Sequence, residues 1–419
     1  MPATAASPAE QAAIRVARSA YGRILAYLAY KFRDIAAAED ALAEAFASAL
    51  ASWPHSGVPD SPEAWLMTAA RRNLLQMQRH TRVEQDPAAT ILLYGENTPA
   101  PDLQAIPDVR LKLLFACAHP AIDVSVRTAL MLQTVLGIDA EKIAAAFLVT
   151  PGAMAQCLVR AKTKIRLAGI HFEEPEARDL PERLHAVLEA IYAAFGLASW
   201  DDHLARSTSD SLSEEAIYLA DLVASMMPAQ AEPAGLLALT LLCDARKAAR
   251  YAPNADSSLR FVPLHQQDTA LWDKARIDQA NRILWHAANL HQPGPFQLEA
   301  AIQSAHCQRL YTGTVPWPSI ALLYQQLLHI APTLGARVGH AVALGESKGP
   351  KAALAALQGV ADHPEAAACA PYWAARAHWL AQQGSTLAAI ADYRTAQRLH
   401  TGQAEREYLQ GRINLLLNK

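Results

Sequence analysis

Apolar residues recur at intervals of three and four along nearly the whole chain, and runs that alternate with period two are scarce. That periodicity predicts an all-α fold. In "AAAEDALAEAFASALASW" (36–53) Leu42, Ala45, Phe46, Ala49, Leu50 and Trp53 line one helix face, and Asp34, Glu39, Asp40 and Glu44 fall at its start and outer side. Pro54, Gly57 and Pro59 interrupt the pattern, so the helix is expected to stop there. Ser61 is expected to cap the next helix, which opens at Pro62, turns Trp65, Leu66 and Ala69 inward and presents Arg71, Arg72, Arg79 and Arg82.

Four prolines and no sustained period mark "VEQDPAATILLYGENTPAPDLQAIPD" (83–108) as a tether. The divisions that follow are a first helical domain over 10–84, a linker over 85–106, a second helical domain over 107–171 and a large helical extension over 180–419. In the second domain one helix stops before Pro120 and another is ended by Gly137. "DAEKIAAAF" makes a short third helix. Thr150 and Pro151 then cap and open a fourth. A short helix, a tight turn and a longer helix make a helix-turn-helix arrangement. Met154, Ala155, Leu158, Val159 and Ile165 are expected inside, with Gly152, Ala153, Gln156, Arg160, Thr163 and Lys164 outward.

In the extension Ser213 is expected to cap a helix, and "GLLALTLLC" (235–243), apolar nearly all round, reads as a buried central one. Near the end Leu380, Gly384, Ala388, Tyr393 and Ala396 resemble one tetratricopeptide repeat, with a degenerate copy in "GHAVALGESKGPKAALAALQGV" (339–360). Two copies predict a short solenoid-like stack.

Composition and charge refine the picture. With 52% apolar and 18% charged residues the chain packs rather than staying disordered. A net charge of −3 gives no overall nucleic-acid signal. Between 105 and 170, however, Arg110, Lys112, Arg127, Lys142, Arg160, Lys162, Lys164 and Arg166 outnumber the anions Asp108, Asp123, Asp139 and Glu141. The five cysteines are single and far apart, which argues for free thiols and against a disulfide frame or metal site. No signal-peptide pattern and no apolar run of bilayer length stand out, so a cytoplasmic location is expected. No cofactor is expected: the histidines lack ligand spacing, and no catalytic constellation emerges.

Gln156 and Arg160 have the chemistry to read base edges, Gln with adenine and Arg with guanine. Lys162, Lys164 and Arg166 suit phosphates, although late cations also complement a helix dipole. "PEAWLMTAARR", "RLKLLFACAHPAI" and "IAAAFLVTPGAMAQCLVRAKTKIRLAGIHF" together resemble a bacterial extracytoplasmic-function sigma factor of the subgroup with a long helical C-terminal extension. "GLLALTLLCDARKAAR", "QQDTALWD" and "GPFQLEAAIQSAH" are similar to that subgroup's later blocks.

The resemblance implies a promoter-specificity subunit without enzymatic activity. Its partners would be core RNA polymerase (the β′ clamp and the β subunit), promoter DNA, and a regulatory protein or ligand at the extension, with no membrane. Glu39, Asp40 and Glu44 match the clamp-binding segment. Arg71, Arg72, Asn73, Arg79 and Arg82 match the side facing the −10 element, and "WPHSGVPDS" lies where a flipped base is captured. Thr150, Gly152, Ala153, Gln156, Arg160, Lys162, Lys164 and Arg166 match the −35 recognition helix. Asp244, Arg246, Asp268 and Trp272 match blocks that could link the extension's helices. Departures at Asn73, Gln76, Met77 and Cys157 imply fewer phosphate contacts, each flattening the log–log salt dependence by about 0.9. The alternative is a polymerase-independent helix-turn-helix regulator with a sensing repeat domain.

Overall fold

The computed structural model describes residues 7–85, 109–147, 149–170, 175–176, 178–200, 206–253, 259–400 and 402–418. They form two compact units, 1–219 and 220–419. Among the described residues the fold is helical throughout except for one short β-hairpin.

The first unit begins with α1 (Pro8–Ser19), α2 (Tyr21–Phe32), α3 (Ile35–Ser56) and α4 (Pro62–Gln85). A capping box starts α1: Glu10 N donates to Ser7 Oγ at 3.2 Å and Ser7 N to the Glu10 carboxylate at 2.6 Å. Ile24, Leu25, Leu28, Leu42, Leu66, Met67 and Leu74 fill the core between these helices. Trp53 closes it edge-on to Trp65, with ring centroids 5.6 Å apart.

Pro54 does not end α3, contrary to the sequence expectation. The helix runs one turn further, to Ser56, and stops at Gly57 with φ +83°. Pro54 costs the hydrogen bond to the carbonyl four residues back, and it stands exposed in the last turn, where water can take the donor's place.

Next come α5 (Arg110–Cys117), α6 (Val124–Thr134), α7 (Ala140–Ala146), α8 (Pro151–Leu167) and α9 (Leu180–Trp200). Asp123 caps α6 through Ser125 N at 2.9 Å. Gly137 takes φ +64° after α6, in the left-handed region where glycine is favoured. The chain continues into α10 (Arg206–Met226), which crosses the boundary at 219. Ser213 therefore lies inside a helix and not at its start, which corrects the expectation: the polar segment before it is helical too.

Two helices thought of as the start of the extension pack within the first unit. Arg127 on α6 reaches Glu182 on α9 at 2.7 Å, and Arg183 on α9 donates to the Phe115 carbonyl. Arg110 on α5 pairs with Glu215 on α10 and lies 4.8 Å from the centre of the Tyr218 ring.

The second unit is built on α11 (Ala231–Asp244), which is buried along most of its length, as its all-round apolar character requires. The unforeseen hairpin follows, β1 (Tyr251–Pro253) antiparallel to β2 (Leu259–Phe261). Three residues per strand are too few to show a period in the sequence. Then come α12 (Lys274–Ala288), α13 (Pro295–Cys307), α14 (Arg309–Thr312), α15 (Trp317–Ile330), α16 (Leu334–Lys348), α17 (Pro350–Ala361), α18 (Ala370–Gln382), α19 (Thr386–Leu399) and α20 (Gln403–Leu417).

Polar groups tie the start of this unit together. Glu232 on α11 accepts from Phe296 N and Gln297 N, at 3.0 and 3.1 Å, and so caps α13 from a neighbouring helix. Gly235 lets the Gln297 backbone approach to a distance at which a β-carbon would clash. Buried Asp244 pairs with Lys247 at 3.2 Å and with Arg276 on α12. Arg246 lies over the Trp272 ring and donates to Gln303, while Asp268 caps its own turn through Ala270 N at 2.9 Å.

From α13 onward the core advances along the chain. One cluster joins α13, α15 and α16 through Ile302, Ile320 and Ala343. A second joins α16, α17 and α18 through Val338, Leu357 and Tyr372. A third joins α18, α19 and α20 through Ala377, Tyr393 and Ile413. Each helix pair thus buries its apolar face on the next, the logic of a repeat stack. Small residues allow the crossings: Gly339 sits against Tyr324, and Gly345 against Trp379.

Candidate nucleic-acid interface

The turn before α8 is fixed locally. Thr150 is extended and its hydroxyl accepts from Ala153 N at 3.3 Å, while Pro151 supplies the first helical residue. Met154, Leu158 and Ile165 anchor α8 in the core. Gly152, Ala153, Gln156, Arg160 and Lys164 are exposed, and Thr163 is half-buried. The exposed side thus carries an amide and a guanidinium one turn apart, beside the small residues Gly152 and Ala153.

Two residues expected inside are outside: Ala155 is exposed, and Val159 is 62% exposed. Leu167, at 78%, continues that apolar edge. α8 has one buried seam, through Met154, Leu158, Ala161 and Ile165, and Ala155 and Val159 lie off it.

Only half of the cations of 105–170 are exposed: Lys142, Arg160, Lys164 and Arg166. Arg127 is buried with Nε on the Ile122 carbonyl at 3.0 Å, Arg110 is buried against Glu215, and Lys112 lies 5.2 Å from the centre of the Tyr30 ring. Spacing could not show this, because the carboxylates that hold Arg110 and Arg127 lie 105 and 55 residues further on.

Lys162 and Arg166 lie on a different edge of α8, toward the start of α3. Lys162 is 7% exposed and its Nζ pairs with Glu39, whose side chain is only 18% exposed. Arg166 reaches Asp34 at 3.4 Å. Asp34 also caps α3 through Ala37 N at 3.1 Å. Burial pushes the Glu39 carboxyl above the ordinary carboxylate range; Lys162 pulls the other way and Asp40 adds to the rise. Its Oε1 is buried without a hydrogen-bond partner. Asp40 and Glu44, by contrast, are exposed.

Nearby packing is equally close. Gly22 on α2 faces the Val135 carbonyl just past α6, where a β-carbon would clash with the backbone oxygen. Tyr21 lies against Gly137, and burial with nearby Glu39 and Asp139 raises its phenol. A glycine inside the helical pattern of "YGRILAYLAY" was the signal available in the sequence for this approach.

On α4, Arg72 is exposed, Arg71 is half-buried, and Asn73 donates to the Ala41 carbonyl at 3.2 Å. Asn73 therefore joins α4 to α3. The side chains of Arg79 and Arg82 lie outside the described residues, as does the 86–108 tether. Among the described residues no group of histidine, cysteine or carboxylate side chains is arranged to hold a metal ion.

Comparison with known proteins gives this arrangement its class. The sigma-70 region 2 family matches residues 17–83, the segment of α2, α3 and α4. A family of unknown function, DUF6596, matches residues 183–288. An uncharacterized protein of Rhizobium meliloti (strain 1021) is 34% identical over 403 residues, covering 95% of this chain and 93% of the relative. The N-terminal part is thus a sigma-70 region 2-like domain of a non-catalytic transcription factor class. The chain as a whole belongs to the family of the Rhizobium protein, and its general role is in transcription, in contact with RNA polymerase or DNA. No helix among the described residues is long and apolar enough to cross a membrane.

Proposed function

We propose that the protein is an alternative sigma factor of the extracytoplasmic-function type, which joins core RNA polymerase, selects promoters and is regulated by its own C-terminal extension. The observation that carries this reading is the pairing, in one chain, of a sigma-70 region 2-like domain with a short helix, a turn and the capped longer helix α8, which presents Gln156 and Arg160 outward. Region 2 would grip the polymerase clamp through Asp40, Glu44 and Glu39 and face the −10 element through Arg71 and Arg72, with Asn73 holding α4 in place. α8 would enter the major groove at the −35 element, Thr150, Gly152 and Ala153 bringing its start close to the DNA and Lys164 meeting phosphate.

The tetratricopeptide-like pairs α16–α17 and α18–α19 would supply a surface for a regulatory protein or ligand. Run-off transcription with bacterial core polymerase compares the full chain with a version ending near residue 175. Selective transcripts are expected from the full chain, and the truncation is expected to change their yield. Equal yields would remove the regulatory role of the extension.

A further inference from the structure

Two cations of α8 that suit phosphate by their place in the sequence, Lys162 and Arg166, are paired with carboxylates at the start of α3, one of which, Glu39, the proposed function assigns to the polymerase clamp. Lys162 is matched to Glu39 and Arg166 to Asp34, across α8 and α3. The two contacts differ in kind. The outer one joins an arginine more than half exposed to the capping carboxylate of α3, and water and salt screen it. The inner one joins a buried lysine to a carboxylate that is largely shielded from solvent. The same closure runs from α8 to the backbone approach of Gly22 and Val135 and the seat of Tyr21 on Gly137.

We infer that the acidic start of α3 and the basic edge of α8 form a self-docked interface, in which Lys162 and Arg166 occupy the place of a basic partner. The inference rests on the sigma-factor reading for the identity of that partner, and on geometry alone for the docking. One carboxylate cannot hold Lys162 and a clamp cation at once in this geometry, so binding of α3 to a basic surface requires α8 to leave. Departure frees Lys162 and Arg166 for phosphate, so promoter contact and polymerase contact become coupled. A favoured closed state lowers the apparent affinity for the partner by the fraction that is open. Gln156, Arg160 and Lys164 are exposed in the closed form, which engages only Lys162 and Arg166 and so withholds part of the phosphate contact.

The test labels the full chain with an amine-acetylating reagent and reads each lysine by mass spectrometry. Lys164, exposed and two residues away, is the internal reference. In the unmodified chain Lys162 should react at least about tenfold more slowly than Lys164, as a group that reacts only after local opening. In the Glu39→Gln chain the difference should shrink. Equal reactivity of the two lysines in the unmodified chain would overturn self-docking without any variant having to fold.

The gating half uses Lys162→Met/Arg166→Ala, checked for retained helicity, and measures binding to core polymerase without DNA. About tenfold tighter binding is expected if the closed state is favoured by roughly nine to one. Unchanged binding by a folded variant whose unmodified parent protects Lys162 would overturn gating. Should neither chain bind the polymerase, the sigma-factor reading and its gating both fail, and the labelling result still decides whether α3 and α8 dock.

Discussion

Arg160 and Lys162 stand two residues apart on α8 and meet opposite surroundings, one exposed and the other 7% exposed against Glu39. A guanidinium that pairs with guanine through two hydrogen bonds is worth about 1–3 kcal/mol of discrimination. Arg160→Ala should therefore weaken promoter binding by the polymerase complex by about that amount and relax preference at one base pair, as read by competition between single-base promoter variants. An unchanged footprint and affinity would remove the contact.

Gly22 carries a prediction about stability instead. A β-carbon there would meet the Val135 carbonyl, which is backbone and yields little. Gly22→Ala should destabilise the first unit by about 1–3 kcal/mol, as overpacking does, in a denaturant melt. These residues also mark the limits of the sequence. The exposed Gln156 and Arg160 and the buried Leu158 and Ile165 followed from helical spacing, whereas the burial of Lys162 depended on a carboxylate 123 positions earlier.

At the scale of elements, α8 was legible where an apolar stripe met the cap of Thr150 and Pro151, and α11 by its continuous apolar run. Boundaries set by water or by distant packing were not. The last turn of α3 tolerates Pro54, and α10 extends before Ser213. The helix pairs of the second unit depend on buried polar ties that spacing alone does not show. Arg376 on α18 grips Asp392 on α19 with two bonds, Nε to Oδ2 at 2.6 Å and Nη2 to Oδ1 at 2.8 Å. Removing one member of such a pair leaves the other in a protein-lined site, so Asp392→Ala should cost about 2–4 kcal/mol in a thermal or denaturant melt. A loss below about 0.5 kcal/mol would show that water replaces the carboxylate.

Among the histidines of the second unit that burial holds below the ordinary value, His306 and His378 are shifted furthest. Burial, then the nearby cations Arg246 and Arg309, hold His306 down to about 4. Burial, then Arg412 and His265, do the same for His378. Each is neutral in the folded unit and takes up a proton more readily once unfolded, near the ordinary histidine value of about 6.5. Their contribution is therefore complete above about pH 6.5 and is lost as the pH falls toward 4. The melting temperature should drop across that window, and His306→Phe, keeping the edge-on packing against Trp317, should flatten the drop. An equal slope in the variant would assign the acid sensitivity to other groups.

The whole molecule joins two kinds of helical architecture in one chain. The first unit holds a region 2-like domain whose α3 is joined to α8 by two ion pairs. The second advances by helix pairs that share successive cores. The helical class followed from periodicity. The closure of the first unit on itself did not, because pairings between distant segments leave no local period. The most direct measurement is transcription by purified core polymerase from linear promoter templates, with and without this protein. Specific run-off products that appear only with the protein, and diminish with Arg160→Ala, are expected. Association with duplex DNA but no gain of specific transcripts over core polymerase alone would contradict the account.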